Sequence, residues 1–231
     1  MNLVELRSQL EGDLSWRLDE IRHLRNDLLG PKDRSSWPVS ALRAILVMQY
    51  AHLEGFAQNA FSLYVEAINS RRLKTSEAQP HLFASALIPE FNALRHGSGN
   101  ESEGEDGRLT RRAKNQVEFV QKVRLLSNGP LVIDTRAAVS MEMNFGADVL
   151  RRTLFMLGIP ETEVDKSYYA SLEFVRRQRN DIAHGSRREQ IEPGLFEAHQ
   201  GKCEKFMNDL VMLITSAVTH EWFRATAVSA T

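Results

Sequence analysis

The chain has 231 residues, 42% hydrophobic and 26% charged, which is enough apolar material for one generous domain or two small ones. Its 29 Lys and Arg stand against 30 Asp and Glu, so a net charge of −1 supplies no global pull toward nucleic acid or a membrane surface. One cysteine, Cys203, excludes an intramolecular disulfide and a Cys-based zinc cluster and suits a reducing cytoplasm; no secretory leader or membrane span is expected, because the amino end is charged and no long apolar run follows.

Apolar residues at spacings of three and four organise most of the chain as amphipathic helix. Residues 3–29 carry Leu3, Leu6, Leu10, Leu14, Leu18, Ile21 and Leu24, and Gly30-Pro31 is a helix stop. After Ser35-Ser36-Trp37-Pro38, Ser40 is placed to cap a second helix that runs to about Lys74. Leu42, Ile45, Leu46, Leu53 and Phe56 form one of its stripes, and Val47, Tyr50, Ala57, Phe61 and Val65 another. A helix apolar on two sides belongs at the centre of a bundle.

A helix over 81–95 precedes the stretch 96–108, whose Gly, Ser and acidic residues read as a mobile loop, a solvated insertion in preference to a substrate lid. Helical spacing resumes over 109–126. Leu131-Val132-Ile133 is either a short strand or an extended connector. Further helices cover about 145–157 and 167–184, the first stopped by Gly158-Ile159-Pro160. The last begins near Pro193 and reaches about Arg224, with Leu195, Cys203, Phe206, Leu210, Leu213, Ile214, Val218 and Trp222 toward the core. No parallel-sheet pattern is visible. The expected fold is an all-α bundle of one domain over 1–231, with its core at about 3–224 and a short tail at 225–231.

The stretch Leu172 to Gly185 carries the chemistry. At 3.6 residues per turn Leu172, Val175, Arg179 and Ile182 share a face, which sets Arg179 in an apolar stripe. A guanidinium there needs a carboxylate of the protein or a phosphate of a ligand. Asn180 and His184 lie about 40° apart on an adjoining face, at a helix end that Gly185 can cap. One helix end therefore offers a fixed cation, an amide and an imidazole able to exchange protons near neutral pH. The bland alternatives are a structural arginine paired to a buried acid, and a histidine favoured by a helix C-terminus. Spacing alone does not choose between them, since the chain holds 22 Arg and seven His and a comparable Arg17–His23 pair occurs in the first helix.

Arg179-Asn180-Asp181-Ile182-Ala183-His184-Gly185 resembles the signature of the HEPN superfamily: an Arg, a polar residue, and a His after four to six positions. Gln49 to Phe56 is similar to the aromatic, acidic and glycine segment of stand-alone prokaryotic HEPN proteins, and Asn144-Phe145 through Ile159 to the helix that leads to their active-site helix. The resemblance implies an HEPN-like helical bundle and an RNA substrate. Many members are metal-independent endoribonucleases of toxin–antitoxin or antiphage systems, acting as homodimers whose motif helices face each other. It also implies Arg179 as phosphate anchor, Asn180 as positioner, His184 as proton-transfer residue, and an antitoxin or regulatory partner protein. No metal and no cofactor is expected.

Glu54 is a supporting candidate, since it lies on the second apolar face of the central helix and would seek a cation; it either pairs with Arg179 or points to solvent through a gap. Asp181 either tunes His184 or faces solvent, the latter being favoured. Tyr50 is read as core and His52 as structural. Arg187 and Arg188 are weak candidates for RNA backbone contact, while the doublets Arg151-Arg152 and Arg176-Arg177 read as solvated surface. Two alternatives to catalysis remain open: a non-catalytic HEPN module that binds RNA or regulates a partner, and a purely structural helical protein.

Overall fold

The computed structural model describes residues 1–31, 33–96, 105–127, 129–141, 144–185 and 191–225. Among them the chain is all-α, with no strand, and its long helices pack side by side around one continuous core. The first helix, α1 (Leu3–Leu29), begins where Asn2 accepts the backbone N–H of Glu5 and ends where Gly30 takes φ 58°. That left-handed backbone is open to glycine at little cost, so the expected stop is the observed one.

The second helix, α2 (Val39–Ser70), starts one residue before the expected Ser40 cap. Pro38, at φ −64° and ψ 133°, occupies the cap position without a side-chain bond, and its fixed extended geometry launches the helix instead. As its two apolar faces require, α2 is the central element. Leu42, Ile45, Leu53, Phe56, Phe61 and Tyr64 are all buried, and the helix packs against α1, α8 (Ser167–Ala183) and α9 (Pro193–Thr219). Burying one such large side chain is worth about 1.5–3 kcal/mol.

A peripheral layer completes the bundle. The single helix expected at 81–95 is two, α3 (Pro80–Ala86) and α4 (Ile88–His96), broken at Leu87 just before Ile88-Pro89. Pro89 sits in the first turn of α4 and has no N–H to give to the Ser85 carbonyl, so one helix does not run through. α5 spans Glu105–Ser127, so it begins inside the stretch read as a loop. Residues 97–104 of that stretch lie outside the described residues, as do 226–231 of the expected tail.

Leu131-Val132-Ile133 is a connector. Asn69 holds it by reciprocal 3.0 Å bonds to the backbone N–H and carbonyl of Ile133, and Leu131 N donates to Leu73 O. A single-turn α6 (Thr135–Ala138) and α7 (Ala147–Met156) follow. α9 is shorter than expected at its C-terminus: past Thr219 the chain turns so that Phe223 is buried and its carbonyl takes the N–H of Gln79. Leu195, expected in the core, is 45% exposed in the first turn of α9, where Phe196 fills the core instead. Among the described residues no helix is long and apolar enough to cross a membrane.

Candidate functional site

The half of α8 that follows Val175 rises toward the surface, with Gln178 its last buried residue. Leu172 and Val175 are buried, Arg179 and Ile182 are half-buried, and His184 and Gly185 are exposed. The stripe that carries Arg179 therefore emerges at the bundle surface one turn after Val175. There α8 stops: His184 donates its backbone N–H to Asn180 O at 2.9 Å, and Gly185 takes φ 66°. The exposed His184 ring thus sits on a helix end fixed by its own backbone bonds.

Arg179 reaches back onto α2. Its guanidinium carbon lies 4.0 Å above the centre of the Tyr50 ring, a cation–π contact with a buried aromatic. The Tyr50 hydroxyl donates to Glu54 Oε1 at 3.1 Å, and the same oxygen accepts the backbone N–H of Phe145 at 3.2 Å. Glu54 and Arg179 are accordingly joined through Tyr50. Glu54 is half-buried and spoken for by α2 and the Phe145 backbone, so the solvent-pointing alternative is set aside. Tyr50 is core as read, and also the seat of Arg179. Burial, with the Glu54 carboxylate second and Arg179 opposing, pushes its hydroxyl up to about 12. It stays a neutral donor through the physiological range.

Asn180 is fixed from its other side. Its Nδ2 donates to Asn144 Oδ1 at 3.2 Å, and Arg176 Nη1 donates to the same oxygen at 3.1 Å. Arg176 grips Glu173 twice, through Nε at 3.0 Å and Nη2 at 2.5 Å. The bridge holds the Glu173 carboxyl below the usual range. Gly146 makes room for this: a Cβ there would lie 2.7 Å from Arg176 Cδ. Arg176 is therefore no solvated surface residue, although its neighbour Arg177, 69% exposed, is.

Asn144-Phe145-Gly146 thus ties α2 to α8 beneath the motif. A model of the MAE_28990-like HEPN family matches residues 6–223. The chain belongs to that family. Comparison with curated proteins and with solved structures gave no match.

In this HEPN chain, Arg179, Asn180 and His184 stand together at the end of α8, with Glu54 one shell inward. Asp181 is half-buried beside them and takes no bond with His184 among the described residues. Arg187 and Arg188 lie outside the described residues. The comparable Arg17–His23 pair of α1 is not a second site: Arg17 is bonded to Asp13 at 3.1 Å and stacks on Trp16, and His23 is exposed. His52, read as structural, is buried with Nε2 at 2.8 Å from Glu20 Oε2, and burial lowers its pKa. Cys203 is buried and its thiol pushed up to about 12 by burial, so it is not a nucleophile. Among the described residues no three of His, Cys, Asp and Glu converge as a metal site.

Asn144, Glu173 and Arg176 were not singled out by sequence reasoning as site residues. Glu173 and Arg176 at i, i+3 were the available signal, since such a pair faces one side of a helix. Nothing in the spacing announces that Asn144, 36 positions from Asn180, is the partner of both Arg176 and Asn180.

Proposed function

We propose that this HEPN protein is a metal-independent endoribonuclease of a defence or toxin–antitoxin type system, acting in the cytoplasm as a homodimer. The observation that carries the reading is the placement of Arg179, Asn180 and His184 at one exposed helix end, with Arg179 seated on the buried Tyr50 ring. Surface Arg151 has a similar seat on Tyr169, but Arg179 is itself half-buried and its seat is tied through Glu54 to the Phe145 backbone.

The chemistry suited to these groups is attack by a 2′-hydroxyl on the adjoining phosphorus. A base takes the 2′-OH proton, the new P–O2′ bond forms, the P–O5′ bond breaks, and an acid returns a proton to the departing 5′-oxygen. Arg179 stabilises the charge that grows on the non-bridging oxygens. The products are a 2′,3′-cyclic phosphate and a 5′-hydroxyl. One imidazole does not stand on both sides of an in-line displacement, so a two-fold pair of α8 ends supplies two His184 and two Arg179 to one groove. Bringing like charges together costs Coulomb energy, which a bound phosphate relieves. An antitoxin or regulatory partner would restrain such an activity in the cell.

The test is incubation of purified protein with mixed RNA in EDTA, beside His184→Ala and Arg179→Lys. The expected result is cleavage that survives chelation, leaves cyclic phosphate ends, and is lost in both variants, because an ammonium does not reproduce the forked guanidinium contact. Products with 5′-phosphates, or full activity in Arg179→Lys, overturn the mechanism. Wild-type protein that binds RNA without cutting it identifies the non-catalytic module instead. Sedimentation under assay conditions tests the dimer, which a fully active monomer refutes.

A further inference from the structure

The bonds beneath Asn180 decide more than its position. An asparagine amide has a donating and an accepting end, and its neighbours determine which end faces outward. The guanidinium of Arg176 has only donors. Its Nη1, 3.1 Å from Asn144, therefore requires the Asn144 carbonyl oxygen at that point. That oxygen then accepts from Asn180, which offers Nδ2 at 3.2 Å. The Asn180 amide is thereby turned with its carbonyl Oδ1 away from Asn144, and no bond to Oδ1 occurs among the described residues. The order is enforced from its far end, because Glu173 holds Arg176 through two nitrogens and Gly146 lets the arginine stem pass without a Cβ in its way.

We infer that Asn144 is a positioning residue which orients Asn180 so that Asn180 Oδ1 accepts a hydrogen bond from a ribose 2′-hydroxyl of the bound strand, making this pair the ribose-reading element of the site. The inference rests on the RNA reading of that site. A 2′-hydroxyl is the one donor that RNA has and DNA lacks on the sugar. An acceptor left unengaged by Asn144, on the residue next to the phosphate anchor Arg179, takes the hydroxyl proton, whereas an amide donor would meet only the hydroxyl oxygen. Phosphate contacts by Arg179 are common to both nucleic acids and give no such choice.

The experiment uses the full chain carrying His184→Ala, so that the strand is not cut. Its affinity is measured for a single-stranded ribo-oligonucleotide and for the same sequence with 2′-fluoro sugars, which keep an RNA-like pucker and lack the donor. The ribo strand is expected to bind about five- to tenfold tighter, the scale of one ordinary hydrogen bond. Adding Asn144→Ala frees the amide to turn and should erase that preference while leaving most of the phosphate-driven affinity. Adding Asn144→Asp should keep it, because a carboxylate still accepts from both Arg176 and Asn180. This conservative rescue separates polarity from mere packing. The inference is overturned if the parent shows no preference, if Asn144→Ala retains it, or if Asn144→Asp loses it as fully as Asn144→Ala. Cleavage by the wild-type chain reports on the nuclease reading separately, and a ribo preference without cleavage would leave the orienting role of Asn144 standing.

Discussion

Two clusters on α8 are built from the same parts and differ in what they connect. At the first turns of the helix, the Tyr169 hydroxyl donates to Glu161 Oε1 at 2.9 Å, and Arg151 lies 4.2 Å over the Tyr169 ring while its Nε meets the same oxygen at 3.2 Å. Near the last turn, Tyr50 donates to Glu54 and carries Arg179 over its ring. The first cluster joins pairs at most 18 positions apart, keeps its charged groups at the surface over the buried Tyr169 ring, and closes Arg151 onto Glu161 and Asp148. The second gathers α2, the segment before α7 and α8 from positions 50 to 179, and its Glu54 is also held by the Phe145 backbone. A Tyr–Glu–Arg cluster whose charges lie at the surface satisfies itself. The same cluster set across the core positions a helix end.

Removing the imidazole with His184→Ala should lower RNA cleavage by at least ~100-fold, the usual scale for a lost general acid or base. Arg151→Ala should leave cleavage unchanged despite its matching seat on a tyrosine. A nuclease assay on both variants decides, and equal losses would erase the distinction.

Glu54→Ala strands the Tyr50 hydroxyl and the Phe145 N–H and should cost about 1–3 kcal/mol in urea unfolding. Glu161→Ala, at a surface cluster, should cost no more than about 1 kcal/mol. The reverse order would show that the core-crossing bonds carry no extra weight.

Gly146→Ala is a milder perturbation of the second cluster. Its Cβ would lie 2.7 Å from Arg176 Cδ, at the flexible stem of a side chain, so the arginine shifts and stability falls by about 1 kcal/mol. The accompanying loss of cleavage should exceed what that destabilisation explains, because Asn144 loses the donor that orders it. Unchanged kcat with the same fall in stability would argue that Arg176 is only packing.

The smallest effect expected is on pH. Arg176 depresses the pKa of Glu173, so the bridge contributes stability that is present above the unfolded glutamate value of about 4.3 and is lost as pH falls through the lower folded value. Glu173→Gln should therefore flatten the acid limb of a stability–pH profile slightly, and an identical limb in both proteins would show the pair to be uncoupled from folding.

Much of the fold was legible. The stripes of α1 and α2 lie where their apolar spacing sets them, and Gly30 and Gly185 stop their helices as read. The motif residues Arg179, Asn180 and His184 were legible as one helix end because i, i+4 periodicity is a local property of the backbone. The errors fell where local chemistry competes with tertiary packing. Ser40 is a good cap by propensity, yet Pro38 starts the helix; Leu195 fits the stripe of α9, yet Phe196 is drawn into the core.

Sequence by itself determined the helices, the all-α class and the cluster of cation, amide and imidazole at the end of α8, because each follows from residues within a few turns of one another. Tertiary structure alone decided that Glu54 belongs to Tyr50 and Phe145, that Arg176 is held by both Glu173 and Asn144 while Arg177 stays exposed with a 3.4 Å contact to Glu173, and that Asn144 sets the face of Asn180. Those bonds join positions 32 to 91 residues apart or depend on which side of a helix meets a neighbour, and hydrogen-bond polarity exists only once donor and acceptor have been brought within reach.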